Sequence, residues 1–213
     1  MKLWSYWRSS CSYRVRIALG LKGVDYEYAS VHLLRGGGEQ HAAAFGAVNP
    51  LRQVPVLELN EGAQTLRLVQ SIAIIEYLEE RFPEPPLLPQ TPVDRAHVRA
   101  LAELVNSGIQ PLQNTGTFSE LKRLGVDTGP WAQHFVRQGL TALEALAAPR
   151  AGAFLFGDRV SLADIYLVPQ LYNARRFGVA LDDFPTLTRA ENSAQALPAF
   201  ASAVPELQPD AEP

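Results

Sequence analysis

The chain has 213 residues, 47% hydrophobic and 19% charged, with a net charge of −3 at neutral pH. That composition supplies a proper apolar core and excludes disorder, and the weakly acidic balance gives no basis for binding nucleic acid or an anionic membrane. No stretch reaches the roughly 20 apolar residues that span a bilayer and no signal-peptide pattern opens the chain. Cys11 is the only cysteine, which excludes an internal disulfide and points to a cytoplasmic protein.

Lys2 to Tyr6 are a predicted first strand. Tyr13 to Leu21 are a helix closed by Gly23. Tyr26 to Leu33 alternate as a second strand, and Glu39 to Ala47 are a weaker helix. Val56 to Leu59 and Thr65 to Leu68 flank Asn60-Glu61-Gly62, a hairpin turn. Gln70 to Arg81 are a strong helix with Ile74, Ile75 and Leu78 on one face. The order βαβαββα, with a parallel first pair joined by a right-handed crossover, predicts a thioredoxin-like unit over residues 1–82.

Pro83, Pro85, Pro86, Pro89 and Pro92 resist helix and strand alike, so residues 83–92 read as a stiff linker. From 93 to 213 the signals are helical: Val93 to Leu112, Trp131 to Leu146, a helix from a capping box at Ser161-Leu162-Ala163-Asp164 to about Phe177, and Leu187 to Ala196. Residues 205–213 read as a frayed tail. The fold class is α+β: a thioredoxin-like domain followed by an all-α domain.

His32, His41, His97 and His134 lack paired metal-ligand spacing, and no metal site is expected. Gly36-Gly37-Gly38 lacks the lysine and hydroxyl of a phosphate loop. The residues with chemical promise cluster first at Arg8-Ser9-Ser10-Cys11-Ser12. One serine suffices for an N-cap; three hydroxyls and a thiol at the dipole-positive end of a helix also suit stabilisation of an incoming thiolate. Val54-Pro55 precedes a strand; an ordinary trans proline is the common case there, but in a thioredoxin-like unit the bond is expected to be cis, with the backbone before it pairing with a bound peptide. Gln70-Ser71 opens a second helix, where Ser71 is expected to act as the N-cap and the helix end to receive a carboxylate. Asn106 to Gly116 surround Pro111, which kinks the helix; their polar groups face either solvent or an interdomain cleft. Arg175 and Arg176 complement a helix C-terminus, or bind a substrate carboxylate in bidentate fashion.

These residues resemble the zeta class of the glutathione transferase superfamily. The resemblance rests on Ser9 to Leu19, Asn49-Pro50, Gln53 to Leu57, Gln70 to Glu80 and Gly108 to Asn114, and spans nearly the whole chain. It implies a homodimer that uses glutathione as a coenzyme to isomerise a cis-diacid. The implied activity is conversion of maleylacetoacetate to fumarylacetoacetate in tyrosine and phenylalanine breakdown. Glutathione supplies a thiolate that adds to the cis double bond, permits rotation and leaves again. The resemblance assigns catalysis to Ser9, Ser10 and Cys11. It assigns glutathione contacts to those three and to Ser12, Tyr13, Arg14, Gln40, Gln53, Val54, Pro55, Gln70, Ser71, Gln110, Asn114, Thr115 and Gly116; Thr115 and Gly116 fall where the family varies. Arg8 and Arg176 are the candidate substrate-carboxylate ligands.

Maleylpyruvate isomerases are the neighbouring alternative; they often carry Gly-Thr where this chain has Ser10-Cys11. General transferase or peroxidase activity is a further alternative. A non-catalytic interaction protein of this fold would lose the hydroxyl cluster or the Gln-Ser helix start, and both are intact.

Overall fold

The structure, a computed structural model, describes residues 1–62 and 64–212. Packing divides the chain into two compact units: residues from Met1 to Pro85 joined by the segment from Pro198 onward, and Pro86 to Leu197.

The first unit runs β1 (Lys2–Ser5), α1 (Ser10–Leu21), β2 (Glu27–Ser30), α2 (Ala43–Val48), β3 (Val56–Glu61), β4 (Gln64–Val69) and α3 (Ser71–Arg81). Its sheet has the order β2-β1-β3-β4. β1 and β2 are parallel with Leu3 opposite Tyr28; β1–β3 and β3–β4 are antiparallel. This is the expected βαβαββα topology. Leu3 and Leu57, opposite each other on one face of the sheet, are buried, as are α1 residues Val15, Ile17, Ala18 and Leu19 and α3 residues Ile74, Ile75 and Leu78, while Val56 packs with Tyr6, Trp7, Phe45 and Val54 in a second cluster. The 3.6-residue spacing of the α3 triad accounts for its single buried face.

Several expected boundaries shift for local reasons. α1 begins at Ser10, three residues before Tyr13, because Ser9 caps it; it ends as predicted, with Gly23 at φ +63°. The second strand keeps only Glu27–Ser30, and the helix expected from Glu39 splits into a 3₁₀ turn, Glu39–His41, and α2. The hairpin turn lies later than Asn60-Glu61-Gly62, since Asn60 and Glu61 still pair with Thr65 and Gln64. Gly62 follows the last paired residue of β3, and residue 63 lies outside the described residues.

The second unit comprises α4 (Pro92–Glu103), a π turn (Leu104–Ile109), a 3₁₀ turn (Gln110–Gln113), α5 (Thr115–Arg123), α6 (Thr128–Ala147), α7 (Leu162–Arg176) and α8 (Pro185–Gln195). The single helix expected over 93–112 is therefore broken. Pro111 lacks an amide and cannot continue α-helical bonding. Ile109 also packs against Gly139, where a Cβ would stand 2.3 Å from Ile109 Cγ1. α5 was not expected: it is only nine residues long and fully buries no side chain, with half-buried Phe118, set against Phe177, and Leu121 as its short apolar edge. Among the described residues, only an isolated bridge between Ala151 and Gly157 has strand character after Pro92.

The C-terminal segment departs most from expectation. The short α9 (Pro198–Ala201) lies against α1: a Cβ on Gly20 would meet Ala199 Cβ at 3.2 Å, so glycine permits the close approach. The buried Arg16 donates from Nε and Nη2 to Ala203 O at 3.2 and 3.1 Å. Asp210 accepts from Tyr28 Oη at 2.6 Å. Residues 198–212 thus pack as part of the first unit instead of closing a helical domain over 93–213, and the tail is tied down instead of frayed. Pro213 lies outside the described residues.

Candidate active site

α1 starts at a tight turn. Ser9 N donates to Tyr6 O at 3.0 Å, leaving Trp7 and Arg8 at the turn's centre. Ser9 is the N-cap, and its Oγ accepts from Ser12 N at 3.2 Å. Accepting that bond leaves the hydroxyl proton of Ser9 available for donation. Ser9 and Cys11 are half-buried and Ser10 is buried. The amides of the first helical turn have no intrahelical acceptors, and no acidic residue occupies that turn. The site is therefore electropositive from backbone alone. Arg8 stacks over the Trp7 ring, 5.0 Å from its centroid. The neighbouring Tyr6 phenol is held above its ordinary value by burial, with Arg8 opposing.

Behind this face lie Ser12, Tyr13 and Arg14, at 0, 2 and 0% exposure. Side chains so enclosed support the site from behind. Ser12 Oγ is buried without a hydrogen-bond partner among the described residues. Arg14 Nη1 reaches Ser71 Oγ at 3.3 Å and Cys11 Sγ at 3.8 Å. The two helix starts singled out in the sequence are thereby joined through one guanidinium.

α3 begins differently from expectation. Gln70, not Ser71, occupies the N-cap, at φ +70° and ψ 121°, and its side chain makes no capping bond. Ser71 is the first helical residue, and its hydroxyl accepts from Arg14 Nη1. The strained backbone of Gln70 leaves its side chain exposed beside the uncapped amides of α3.

The Val54-Pro55 peptide is cis, as is Glu84-Pro85, which carried no such expectation. Val54 packs with Trp7 and Phe45. The loop before it is organised by Asn49, 2% exposed, whose Nδ2 donates to Gln53 O at 2.8 Å and whose Oδ1 accepts from Leu51 N at 3.0 Å. Asn49 belonged to the family signature but to no assigned role; an Asn before proline marks a turn but does not disclose which carbonyl it will hold. Gln40 donates to Leu33 O at 3.3 Å, while its Oε1 is buried without a partner among the described residues.

The remaining candidates belong to the second unit. Gln110 stands at the start of the 3₁₀ turn, Asn114 caps α5 without a side-chain bond to it, and Thr115 and Gly116 are exposed in its first turn. Arg175 is engaged by Glu191 through both guanidinium ends, which removes it from carboxylate binding. Arg176 is exposed at the end of α7, with Nη1 donating to Asn173 Oδ1 at 3.3 Å. No cluster of metal-ligating side chains occurs among the described residues.

Sequence comparison agrees with this architecture. Residues 8–81 match the family model of the glutathione S-transferase N-terminal domain and residues 132–201 that of the C-terminal domain. The chain is 50% identical over 213 residues to the maleylacetoacetate isomerase of Pseudomonas aeruginosa, covering 99% of this chain and 98% of that one. It is 47% identical over 209 residues to the enzyme of that name from Mus musculus, covering 98 and 94%. Among solved structures, it resembles maleylacetoacetate isomerase from Anaeromyxobacter dehalogenans with glutathione bound in the active site (TM-score 0.92, 53% identity, 99 and 97% coverage). The same Anaeromyxobacter enzyme has also been seen with dicarboxyethyl glutathione and citrate in its active site (TM-score 0.91, 51% identity, 100 and 97% coverage). A zeta-class maleylpyruvate isomerase aligns equally well in shape (TM-score 0.92, 45% identity, full coverage of both chains).

Proposed function

Since the chain belongs to the glutathione S-transferase family, in its zeta class, we propose that it is a glutathione-dependent cis–trans isomerase converting maleylacetoacetate to fumarylacetoacetate. The observation that carries the reading is the electropositive, Ser9-capped start of α1, bridged by Arg14 to the start of α3, in a chain half identical to maleylacetoacetate isomerases along its length.

These residues fit a tripeptide thiol. Its sulfur requires a donor, which Ser9 Oγ and the first amides of α1 supply. A free thiol has a pKa of about 8.5, and lowering it by about 2 units takes about 2.7 kcal/mol of selective stabilisation. One hydroxyl donor with a helix dipole is of that order. Its backbone requires a strand-like partner, which Val54 before Pro55 offers. Its terminal carboxylate requires an anion site, which the uncapped start of α3 at Gln70 and Ser71 provides. The orphaned Gln40 Oε1 is a further acceptor for a ligand N–H. Gln110, Asn114, Thr115 and Gly116 complete the proposed glutathione contacts.

Glutathione supplies the thiolate that adds to the cis double bond, permits rotation about the resulting single bond and is released. Dicarboxyethyl glutathione, present in the Anaeromyxobacter relative, is by its name the saturated adduct of this thiol with a four-carbon diacid. That is the product type which thiolate addition to such a double bond generates. Ser9 donates to the sulfur; Cys11 tunes the polarity of the same pocket; Arg8 and Arg176 hold the substrate carboxylates and offset the charge that develops on the substrate in the adduct.

The test is an assay of the purified protein with maleylacetoacetate and maleylpyruvate, each with and without glutathione. Turnover of maleylacetoacetate that requires glutathione supports the reading. Faster turnover of maleylpyruvate shifts it to the second substrate, to which the equal fold similarity of that relative points. Turnover indifferent to glutathione overturns it. We also infer a homodimer, consistent with Val93 standing 63% exposed on α4; a monomer in sedimentation at micromolar concentration contradicts this. The lone free thiol of Cys11 fits a reducing cytoplasm, and among the described residues no helix is long and apolar enough to cross a membrane.

A further inference from the structure

The turn that delivers Arg8 and Ser9 to the site contains no residue that would fix it locally. Trp7 and Arg8 are at its centre, where Gly, Pro, Asn or Asp normally set the geometry. Such a turn also leaves the amide of its second residue in need of an acceptor. Here Trp7 N donates to Asp210 Oδ2 at 3.1 Å, across 203 positions of sequence. On the other side of the same residue, Trp7 O accepts from Arg16 Nη2 at 3.0 Å, and Arg16 is anchored on Ala203 O. The tail therefore holds the amide of Trp7 directly and its carbonyl through one buried guanidinium. Asp210 is itself fixed by Tyr28 Oη at 2.6 Å and Ser30 Oγ at 3.1 Å. Burial, reinforced by Asp210, keeps the Tyr28 phenol well above its ordinary value, so it remains a donor.

We propose that Asp210 is a positioning residue for the isomerisation, setting the Arg8 guanidinium and the Ser9 hydroxyl through its bond to the Trp7 amide. The inference rests on the glutathione site lying at the start of α1. A carboxylate–amide bond is stronger than a neutral one, and a misplacement of about 1 Å in a reacting group costs roughly 10²-fold in rate. Asp210 makes no contact with the reacting atoms in this account; its effect passes entirely through the turn.

The experiment compares the full-length protein with Asp210→Ala and Asp210→Asn. Each is measured for kcat, for KM of glutathione, and for the pH midpoint of the ultraviolet thiolate absorbance of bound glutathione. Asp210→Ala is expected to lower kcat by about 10- to 100-fold and to raise the thiolate midpoint, with KM for glutathione changed less than about threefold. Asp210→Asn keeps an acceptor for Trp7 N and an amide for the Tyr28 oxygen, and is expected to restore kcat to within about threefold. Unchanged kcat and thiolate midpoint in Asp210→Ala, even with a lower Tm, overturn the proposal and leave Asp210 a purely structural residue. Equal loss in Asp210→Asn also overturns it, because the effect then follows charge and not the held amide. If Asp210→Ala does not fold, Tyr28→Phe loosens Asp210 while leaving its bond to Trp7. A loss in kcat of about threefold supports the proposal there, and no loss overturns it. A native protein that binds glutathione without a thiolate band brings down the site reading itself; a normal native band with an unaffected variant brings down only the role of Asp210.

Discussion

Arg14 Nη1 stands 3.3 Å from Ser71 Oγ, so a fully buried guanidinium in α1 is committed to the first residue of α3. The same nitrogen is 3.8 Å from Cys11 Sγ. A buried cation is tolerated only where fixed acceptors surround it, and these contacts make the two proposed anion-receiving helix ends one rigid piece. Lysine carries the charge but on a compact ammonium that does not place a donor where the planar guanidinium holds Nη1. Arg14→Lys is expected to weaken glutathione binding about tenfold by calorimetry. Arg14→Ala should lower the unfolding free energy in urea by about 3 kcal/mol, the scale of hydrogen bonds to a charged group.

Ser9 and Cys11 share one helix start but differ in chemistry. Removal of one pre-organised donor typically costs 10²–10³ in rate, so Ser9→Ala should lower kcat by about that factor with little change in glutathione affinity. Cys11→Ala should stay within about tenfold of the native rate. It should also resist inactivation by oxidised glutathione, in which the Cys11 thiolate displaces one glutathione and forms a mixed disulfide with the other. Abolished turnover in Cys11→Ala beside a normal Ser9→Ala would exchange the two roles.

Asp164 caps the start of α7. Its Oδ1 accepts from Leu155 N at 2.8 Å and its Oδ2 from Ser161 N at 2.8 Å and Ser161 Oγ at 2.9 Å. Burial outweighs these bonds and pushes its carboxyl up to about 6 from an ordinary 3.8. The folded protein therefore holds a proton that the unfolded chain releases. This contribution to stability is fully present below about pH 4 and is lost as pH rises through about 6. Asp164→Asn removes the titration. The difference in unfolding free energy between the native protein and this variant should move against the native protein across that window, as read from urea unfolding at a series of pH values.

Gly139 is where α6 meets Ile109, itself 0% exposed. A methyl group there overlaps the Ile109 side chain, and overpacking of this kind costs about 1–3 kcal/mol. Gly139→Ala should lower Tm accordingly, and Ile109→Val in the same chain should recover part of the loss. Additive losses in the double variant would show that the overlap is relieved elsewhere.

The first unit was legible because its signals are local and periodic. The apolar triad of α3, the alternation of the strands and the serine cluster before α1 each point to one conformation. Ser161 and Asp164 likewise announced α7. Gln70 was misread because an N-cap is expected of Ser, and nothing in the sequence shows that Arg14 will claim the Ser71 hydroxyl. α5 offers only Phe118 and Leu121 as an apolar pair, too short a period to mark a helix, and Pro111 foretells a break but not the π turn that precedes it. Asp210 gives no signal at all: Gln208-Pro209-Asp210 reads as a solvated tail until the Trp7 amide is seen opposite. Long-range polar partners of this kind have no period, and only the packed chain reveals them.

The bond from Arg16 to Ala203 has a consequence for synthesis on the ribosome. Residues 1–85 contain every strand described here and are made before the rest, yet the guanidinium at the centre of α1 lacks its Ala203 acceptor until a further stretch of more than a hundred residues has followed. Domains generally fold in order from the N-terminus. Here the buried bond of Arg16 can close only after Ala203 is made, and by then the sequence of the intervening helices, α4 to α8, has already been synthesised.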